Sequence, residues 1–157
     1  LTGDIVSFLK EKGQKVKLVA SARPVEEGIE AVVEPVILDA ADSLAILPDA
    51  INQVNVAGSF VGDLAFTGPG AGKEPTGNAV VADIISAATK SAMPLLKRGA
   101  KALAPVKGRY LVEGKLPADV TEREEGGFTL TKEIQRDALL ELIDKDIFFA
   151  RIESKTL

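Results

Sequence analysis

The sequence predicts an α+β fold: a mixed, largely antiparallel sheet with helices on one face, followed by a small α/β module. Three observations predict this class. Near the start, Ile5, Phe8 and Leu9 fall at i, i+3 and i+4, the spacing of an amphipathic helix. Short runs rich in Val and Ile follow, as is typical of strands. Glycines at 13 and between 58 and 62 mark a helix end and a hairpin turn.

The first part of the chain contains one helix and four strands by these patterns. Thr2 or Asp4 can cap the helix at its start, and Gly13 ends it. Two strands are expected at 15–22 and 29–38. Two further strands flank the turn at 58–62, so we expect them to form a hairpin.

The segment 77–90 reads "GNAVVADIISAATK" and predicts a helix that is apolar nearly all round. Asp83 is its only charge before Lys90. A helix with so little polar surface is packed on several sides in a globular protein. We therefore expect this helix to lie between layers of structure, with Pro94 at its end.

We interpret residues 95–108 as a linker, because basic residues and two glycines concentrate there, with Pro94 and Pro105 within reach. The linker divides a first domain over 1–94 from a small C-terminal module over 109–157. The elements expected in this module are a strand at 109–116, a charged loop at 117–127, a strand at 128–131, an amphipathic helix at 132–144 and a final strand at 146–154.

Composition excludes several function classes. The net charge is −4, the isoelectric point is about 5.0 and aromatic residues make up 4% of the chain, so nucleic-acid binding is not expected. The chain has no cysteine and no histidine. Disulfides and thiol catalysis are therefore excluded, and the commonest general base and metal ligand are missing. We expect no metal site in these residues.

The expected location is the cytoplasm, without a membrane partner. No apolar run reaches the roughly 18–20 residues that span a bilayer. The first ten residues lack the basic start and the apolar centre of a signal peptide. The chain begins at Leu1 and its only methionine is Met93. We therefore expect these residues to be part of a longer protein.

A glycine-rich stretch, "TGPGAGKEPTG", stands immediately before the apolar helix. Gly68 and Gly70 begin a G-x-G-x-x-G dinucleotide pattern, but Lys73 occupies the position of its third glycine. Glu74 follows Gly72-Lys73, so the stretch is not a phosphate-binding P-loop either. Two interpretations stay open: a tight turn that lets a strand and a helix pack closely, or a loop that presents backbone N–H groups to an anion.

The segment "FTGPGAGKEPTGNAVVADII" resembles the signature near the end of the catalytic domain of the homoserine dehydrogenase family, G-x-G-A-G-x-x-P-T-A-S-A-V-V-A-D-[IL]. The matching positions are Gly68, Gly70, Ala71, Gly72, Pro75, Thr76, Ala79, Val80, Val81, Ala82, Asp83 and Ile84. Upstream, "KVKLVASA", "VEPVIL", "SLAILPDAINQV" and "GSFVGDLAFTGPGAG" resemble further family segments in the same order. The resemblance covers residues 4–90.

The resemblance implies an NAD(P)-dependent oxidoreductase that interconverts L-homoserine and L-aspartate 4-semialdehyde, in the biosynthesis of threonine and methionine. In this family the last glycine of G-A-G lies against the nucleotide. Gly72 is thereby implied as a contact of NAD or NADP, with Gly70 and Thr76 as further cofactor-binding candidates. The family's Rossmann domain, sodium site and catalytic lysine precede this region, so no catalytic residue is expected in the chain. A homodimer and a small-molecule substrate are also implied.

The chain departs from the family pattern at Gly77 and Asn78, which replace the usual Ala-Ser, and at Gln53, which replaces an alanine. "GRYLVEGKL" resembles the start of the family's regulatory ACT module, but "GKLPADVTE" replaces the usual D-x-P-G-V turn. Residues 109–157 are therefore expected to form an abbreviated ACT-like module. The alternative function is a non-enzymatic effector-binding or dimerisation module of a diverged relative.

Overall fold

The computed structural model describes residues 2–89 and 103–153. These residues form two compact units, one drawn from 1–45 and 100–157 and the other from 46–99. The first unit is thus built from both ends of the chain. Within the described residues, no helix is long and apolar enough to cross a membrane.

The described residues contain three helices and ten strands. In chain order they are α1 (Gly3–Glu11), β1 (Gln14–Val25), β2 (Gly28–Asp39), β3 (Ile51–Gly58), β4 (Gly62–Pro69), α2 (Lys73–Ala88), β5 (Lys107–Gly108), β6 (Tyr110–Glu113), β7 (Thr121–Glu125), β8 (Phe128–Thr131), β9 (Ile134–Gln135), α3 (Arg136–Leu142) and β10 (Phe149–Ile152).

A six-stranded sheet with the order β1-β2-β10-β6-β8-β7 organises the first unit. Only the β10–β2 pair is parallel in this sheet, and the other neighbouring strands are antiparallel. Strands β1 and β2 pair along their whole length. The predicted class, α+β with a mixed and largely antiparallel sheet, is confirmed.

Helices α1 and α3 pack on opposite faces of this sheet, whereas the sequence led us to expect helices on one face. Ile5 and Leu9 of α1 form a buried cluster that includes Leu111 of β6. Leu139 of α3 packs instead against Tyr110, the preceding residue on β6. Successive side chains of a strand point to opposite faces, so the sheet has a core on each side.

The charged run predicted as a loop forms an edge strand instead. Strand β7 carries Glu122, Arg123, Glu124 and Glu125 and pairs with β8. The run lacks the apolar alternation that indicates a half-buried strand. It is a strand because its backbone pairs with β8, and its charges suit the outer edge of a sheet, where they discourage pairing with other chains.

Helix α3 is shorter than the sequence predicts. Ile134 and Gln135 form β9 and pair with the two residues of β5, so the helix begins at Arg136 instead of 132. Leu139 is fully buried, as the predicted apolar face requires. Leu142, which the sequence places on one apolar face with Ile134 and Ala138, is 43% exposed at the last position of the helix.

The second unit consists of the β3–β4 hairpin and helix α2. The strands pair from Ile51 opposite Pro69 to Gly58 opposite Gly62, which confirms the predicted hairpin. Helix α2 begins at Lys73, four residues before the predicted start, because Pro75 is accommodated in its first turn.

The predicted domain boundaries stay a prediction. Residues 90–102 lie outside the described residues, and with them most of the linker expected at 95–108. Strands β6, β7, β8 and β10 of the expected C-terminal module join the sheet that β1 and β2 begin. The ACT-like character of residues 109–157 is likewise untested.

Candidate functional site

The glycine-rich loop connects the end of β4 to the start of α2, as the sequence predicts. Gly72 is the residue immediately before the helix, with φ 123° and ψ 169°. This backbone conformation is strained for every residue with a Cβ atom. A glycine is therefore required at position 72 to turn the chain from the loop into α2.

Gly70 lies close to the neighbouring strand. Its backbone N–H donates to the carbonyl oxygen of Ala50 at 2.9 Å, just before β3. A Cβ atom at position 70 would overlap with the side-chain amide of Asn52. Glycine at this position therefore lets the loop fold back against β3.

Thr76 belongs to the first turn of α2 instead of the loop itself. Its N–H donates to the carbonyl oxygen of Gly72 at 3.2 Å, which closes that turn. Gly70, Gly72 and Thr76 are all exposed to solvent. The three residues that the resemblance implies as cofactor contacts thus lie within seven consecutive positions on one exposed loop and helix start.

A shallow depression, open to solvent, lies at this junction. Its lining residues are Pro69, Ala71, Gly72, Glu74, Pro75 and Asn78. Gly72 is the one predicted contact in this lining. Asn78, which the sequence marks only as a departure from the family pattern, contributes to the same depression, because it follows Glu74 by one turn of α2.

The start of α2 carries the electrostatic features of an anion site. No side chain caps the helix, so its first N–H groups are left for other acceptors. The helix dipole places partial positive charge at the same end. Glu74 adds a negative charge to the first turn and Lys73 adds a positive one, so the formal side-chain charges there cancel. Backbone groups therefore supply the attraction for an anion.

Helix α2 exposes apolar side chains on several sides. The described residues bury none of its side chains, and Val80, Val81, Ile84 and Ile85 are each between 54% and 62% exposed. The sequence led us to expect a helix packed between layers. Those layers are not among the described residues of this chain.

The β3–β4 hairpin also has one uncovered apolar face. Val54 pairs with Phe66 and Val56 pairs with Leu64, and these four side chains are between 42% and 61% exposed. The opposite face is polar: Thr67 donates a hydrogen bond to Gln53 at 3.1 Å. The hairpin is thus amphipathic, and its apolar face suits a covering layer.

Comparison with known proteins agrees with these features. The family described as homoserine dehydrogenase matches residues 1–85, a range that includes the glycine loop and most of α2. The homoserine dehydrogenase of Bacillus subtilis (strain 168) is 32% identical over 120 residues, which are 76% of this chain and 27% of that protein. That of Helicobacter pylori is 36% identical over 93 residues, or 59% of this chain and 22% of that protein.

Solved structures show the same relationship. The crystal structure of a homoserine dehydrogenase from Thiobacillus denitrificans superposes with a TM-score of 0.66 at 25% identity, over 98% of this chain and 46% of that one. The S. aureus enzyme at pH 8.5 superposes with a TM-score of 0.56 at 22% identity, a likeness of fold alone. The chain spans about a quarter of the length of the two curated relatives.

Proposed function

Because the chain belongs to the homoserine dehydrogenase family, we propose that it is part of an NAD(P)-dependent oxidoreductase that interconverts L-homoserine and L-aspartate 4-semialdehyde. The observation that carries this proposal is the match over residues 1–85, which includes every glycine of the loop. The reaction serves the threonine and methionine branch of amino-acid biosynthesis, and we place it in the cytoplasm.

The role we propose for this chain is to close the cofactor site. The exposed loop at Gly70 and Gly72 and the uncapped start of α2 support contact with an anionic dinucleotide, because N–H groups and a helix dipole favour phosphate. Thr76 is the third proposed contact, since its hydroxyl lies one turn into the helix. Whether the dinucleotide is NAD or NADP depends on groups that read the ribose, outside the loop.

We propose that the catalytic groups and the dinucleotide domain lie outside these 157 residues. The exposed apolar sides of α2 support this, since a helix of this kind is normally buried. The chain alone is then catalytically inactive. A partner layer from the rest of the protein would cover Val80, Ile84 and their neighbours.

A homodimer is the proposed assembly. The amphipathic β3–β4 hairpin supports association, because an exposed apolar face on a two-stranded ribbon is unstable in water without a partner. The same surface would also serve a non-enzymatic dimerisation module, which is the second candidate function. The two candidates differ in whether the full-length protein turns over homoserine.

The experiment is a homoserine oxidation assay that follows NAD(P)H formation with the full-length protein that contains this chain. We compare wild type with Gly72→Val and, as a matched control, Gly77→Ala. A Cβ atom at position 77 meets no atom within 4 Å, so this control leaves the loop unchanged. Gly72→Val should raise the cofactor KM at least tenfold, because it distorts the loop.

Two results would contradict the proposal. A folded wild-type protein that binds the dinucleotide without turnover would favour the non-enzymatic module. Normal turnover with an unchanged cofactor KM in Gly72→Val would support the proposed reaction. It would also show that the loop does not contact the cofactor.

A further inference from the structure

A buried charged cluster lies in the first unit, on the sheet face that α3 covers. Its centre is Glu34 of β2, whose side chain is fully buried. Arg136, the first residue of α3, approaches one carboxylate oxygen of Glu34 through Nε at 3.1 Å. Arg151 of β10 lies with its own Nε 3.1 Å from the other oxygen, an ion pair without hydrogen-bond geometry.

The two arginines come from a distant part of the chain. Arg136 lies 102 residues after Glu34. Arg151 is only 6% exposed and also pairs with Glu153 at 2.9 Å, while Arg136 lies over the ring of Phe149 at 5.7 Å from its centroid. One carboxylate on β2 therefore joins two separate elements of the C-terminal segment.

The burial of Glu34 is energetically demanding. Desolvation raises the pKa of the Glu34 carboxyl above its ordinary value, and the charges of Arg151 and Arg136 offset this rise only in part. The guanidinium groups of Arg136 and Arg151 are the positive charges that favour the ionised form of this carboxyl inside the sheet. Removing one partner of a buried ion pair is strongly destabilising, because it leaves a buried charge without compensation.

We propose that Glu34, Arg136 and Arg151 form an ionic latch that fastens residues 107–153 to β2. Detaching α3 or β10 from β2 removes one of the two cations that face Glu34, so these elements open together with β2. The C-terminal segment is then part of one cooperative unit with β1 and β2, and it does not act as a detachable module. This inference is independent of the proposed enzymatic activity.

Amide hydrogen exchange on the full 157-residue chain tests the latch, because it measures local opening element by element. Four proteins are compared: wild type, Arg136→Gln, Glu34→Gln, and the double variant Glu34→Gln/Arg136→Gln. Arg109→Gln is the matched control, since Arg109 forms an ion pair with Glu122 at 2.9 Å on the surface of the same segment. Exposed pairs of this kind contribute little to stability.

If the latch operates, Arg136→Gln lowers the protection of amides in α3, β10 and β2 together, by about tenfold or more. The same substitution in the Glu34→Gln background changes protection less than threefold, because no carboxylate is left to strand. Arg109→Gln, in the wild-type background, changes protection less than about threefold.

If Arg136→Gln lowers amide protection equally with and without Glu34, the proposal is overturned. It is also overturned if the loss of protection is confined to α3 while β2 and β10 are unchanged. If Arg136→Gln does not fold, the test is whether the double variant Glu34→Gln/Arg136→Gln folds. A folded double variant supports the latch, since removing Glu34 relieves the defect. A double variant that also fails to fold shows that Arg136 acts independently of Glu34 and overturns it.

Discussion

The side-chain amide of Asn52 occupies the space that a side chain at position 70 would need. The strand β3 and the glycine loop are therefore matched to each other: the loop can lie against the strand only if position 70 has no Cβ atom. This pairing explains a glycine that the backbone angles alone do not require, since φ at Gly70 is not positive.

Replacing Gly70 with alanine should displace the loop from β3. We expect Gly70→Ala to destabilise the hairpin by about 1–3 kcal/mol, the usual range for overpacking. In an Asn52→Gly background the same replacement should have a much smaller effect, because the three atoms nearest to the new Cβ all belong to the Asn52 side chain. Exchange rates of the β3 and β4 amides measure the destabilisation by Gly70→Ala in each background. Equal destabilisation in the two backgrounds would show that Asn52 is not the reason for a glycine at position 70.

The same substitution should have opposite effects at two glycines of this region. Gly72→Ala strains the backbone at φ 123°, and we expect a cost of about 1–3 kcal/mol. Gly77→Ala lies inside α2 with open space around it, so it should stabilise the helix by about 1 kcal/mol. Amide exchange in the first two turns of α2 measures the effect of each replacement. If both replacements stabilise the helix, the loop has a different backbone conformation at position 72 in solution.

Tyr110 is the only tyrosine of the chain, and the chain has no tryptophan. Burial and the nearby Glu34 charge raise the pKa of its hydroxyl to about 12. Since the folded pKa exceeds the ordinary value of about 10, the contribution of Tyr110 to stability is complete below pH 10 and is lost as pH rises toward 12.

Ultraviolet absorbance of tyrosinate tests this shift directly. We expect ionisation of the folded chain near pH 12 and ionisation of the urea-unfolded chain near pH 10. Glu34→Gln should move the folded value downward, because one of the charges that opposes tyrosinate is removed. Folded and unfolded chains that titrate together would mean that Tyr110 is solvated.

Two neighbouring leucines of α3 test the core on that face of the sheet. Leu139 is fully buried against Tyr110 and Val112, whereas Leu140 is 38% exposed. Leu139→Ala should lower the free energy of unfolding by about 2–5 kcal/mol, and Leu140→Ala by less than about 1 kcal/mol. Urea unfolding followed by Tyr110 fluorescence gives both values. Equal losses of unfolding free energy in Leu139→Ala and Leu140→Ala would indicate that α3 packs on the sheet with a different face.

At acidic pH the contact between α1 and β7 should weaken. Lys12 donates a hydrogen bond to Glu125 at 2.8 Å, and this bond lowers the pKa of the Glu125 carboxyl. Because the folded pKa is lower than the unfolded one, the contribution of Glu125 is present above the unfolded pKa and is lost as pH falls through the folded one. Glu125→Gln should therefore reduce the loss of stability between neutral pH and about pH 3, compared with the exposed-turn control Glu27→Gln.

Local sequence patterns predicted the elements whose signal is contained in neighbouring residues. The spacing of Ile5 and Leu9 predicted α1, and alternation about the turn at 58–62 predicted the hairpin. Strand β7 could not be predicted in this way, because its charged side chains show no periodicity and its pairing depends on β8. The start of α2 at Lys73 was not predicted, because the apolar run that indicated the helix begins only at residue 77.

The charged cluster was missed because its members are far apart in the sequence. A signal was nevertheless present: Glu34 and Arg151 are charged residues inside the apolar strands "VVEPVIL" and "FFARI". A charge at a position that the alternation assigns to a buried face indicates a partner of opposite charge elsewhere. At the glycine loop, the sequence predicted the turn, and only the structure revealed that Asn52 makes Gly70 necessary.

The first unit combines two separate stretches of the chain, and this has a consequence for folding during synthesis on the ribosome. Arg136 follows Glu34 by 102 residues, so it emerges well after strand β2. At about 5–20 residues per second, the nascent chain waits about 5–20 s for this partner. During that interval β2 lacks the neighbouring strand β10, so the edge of β2 that is covered in the finished sheet is unpaired. Residues 107–153 therefore complete the sheet that β1 and β2 begin.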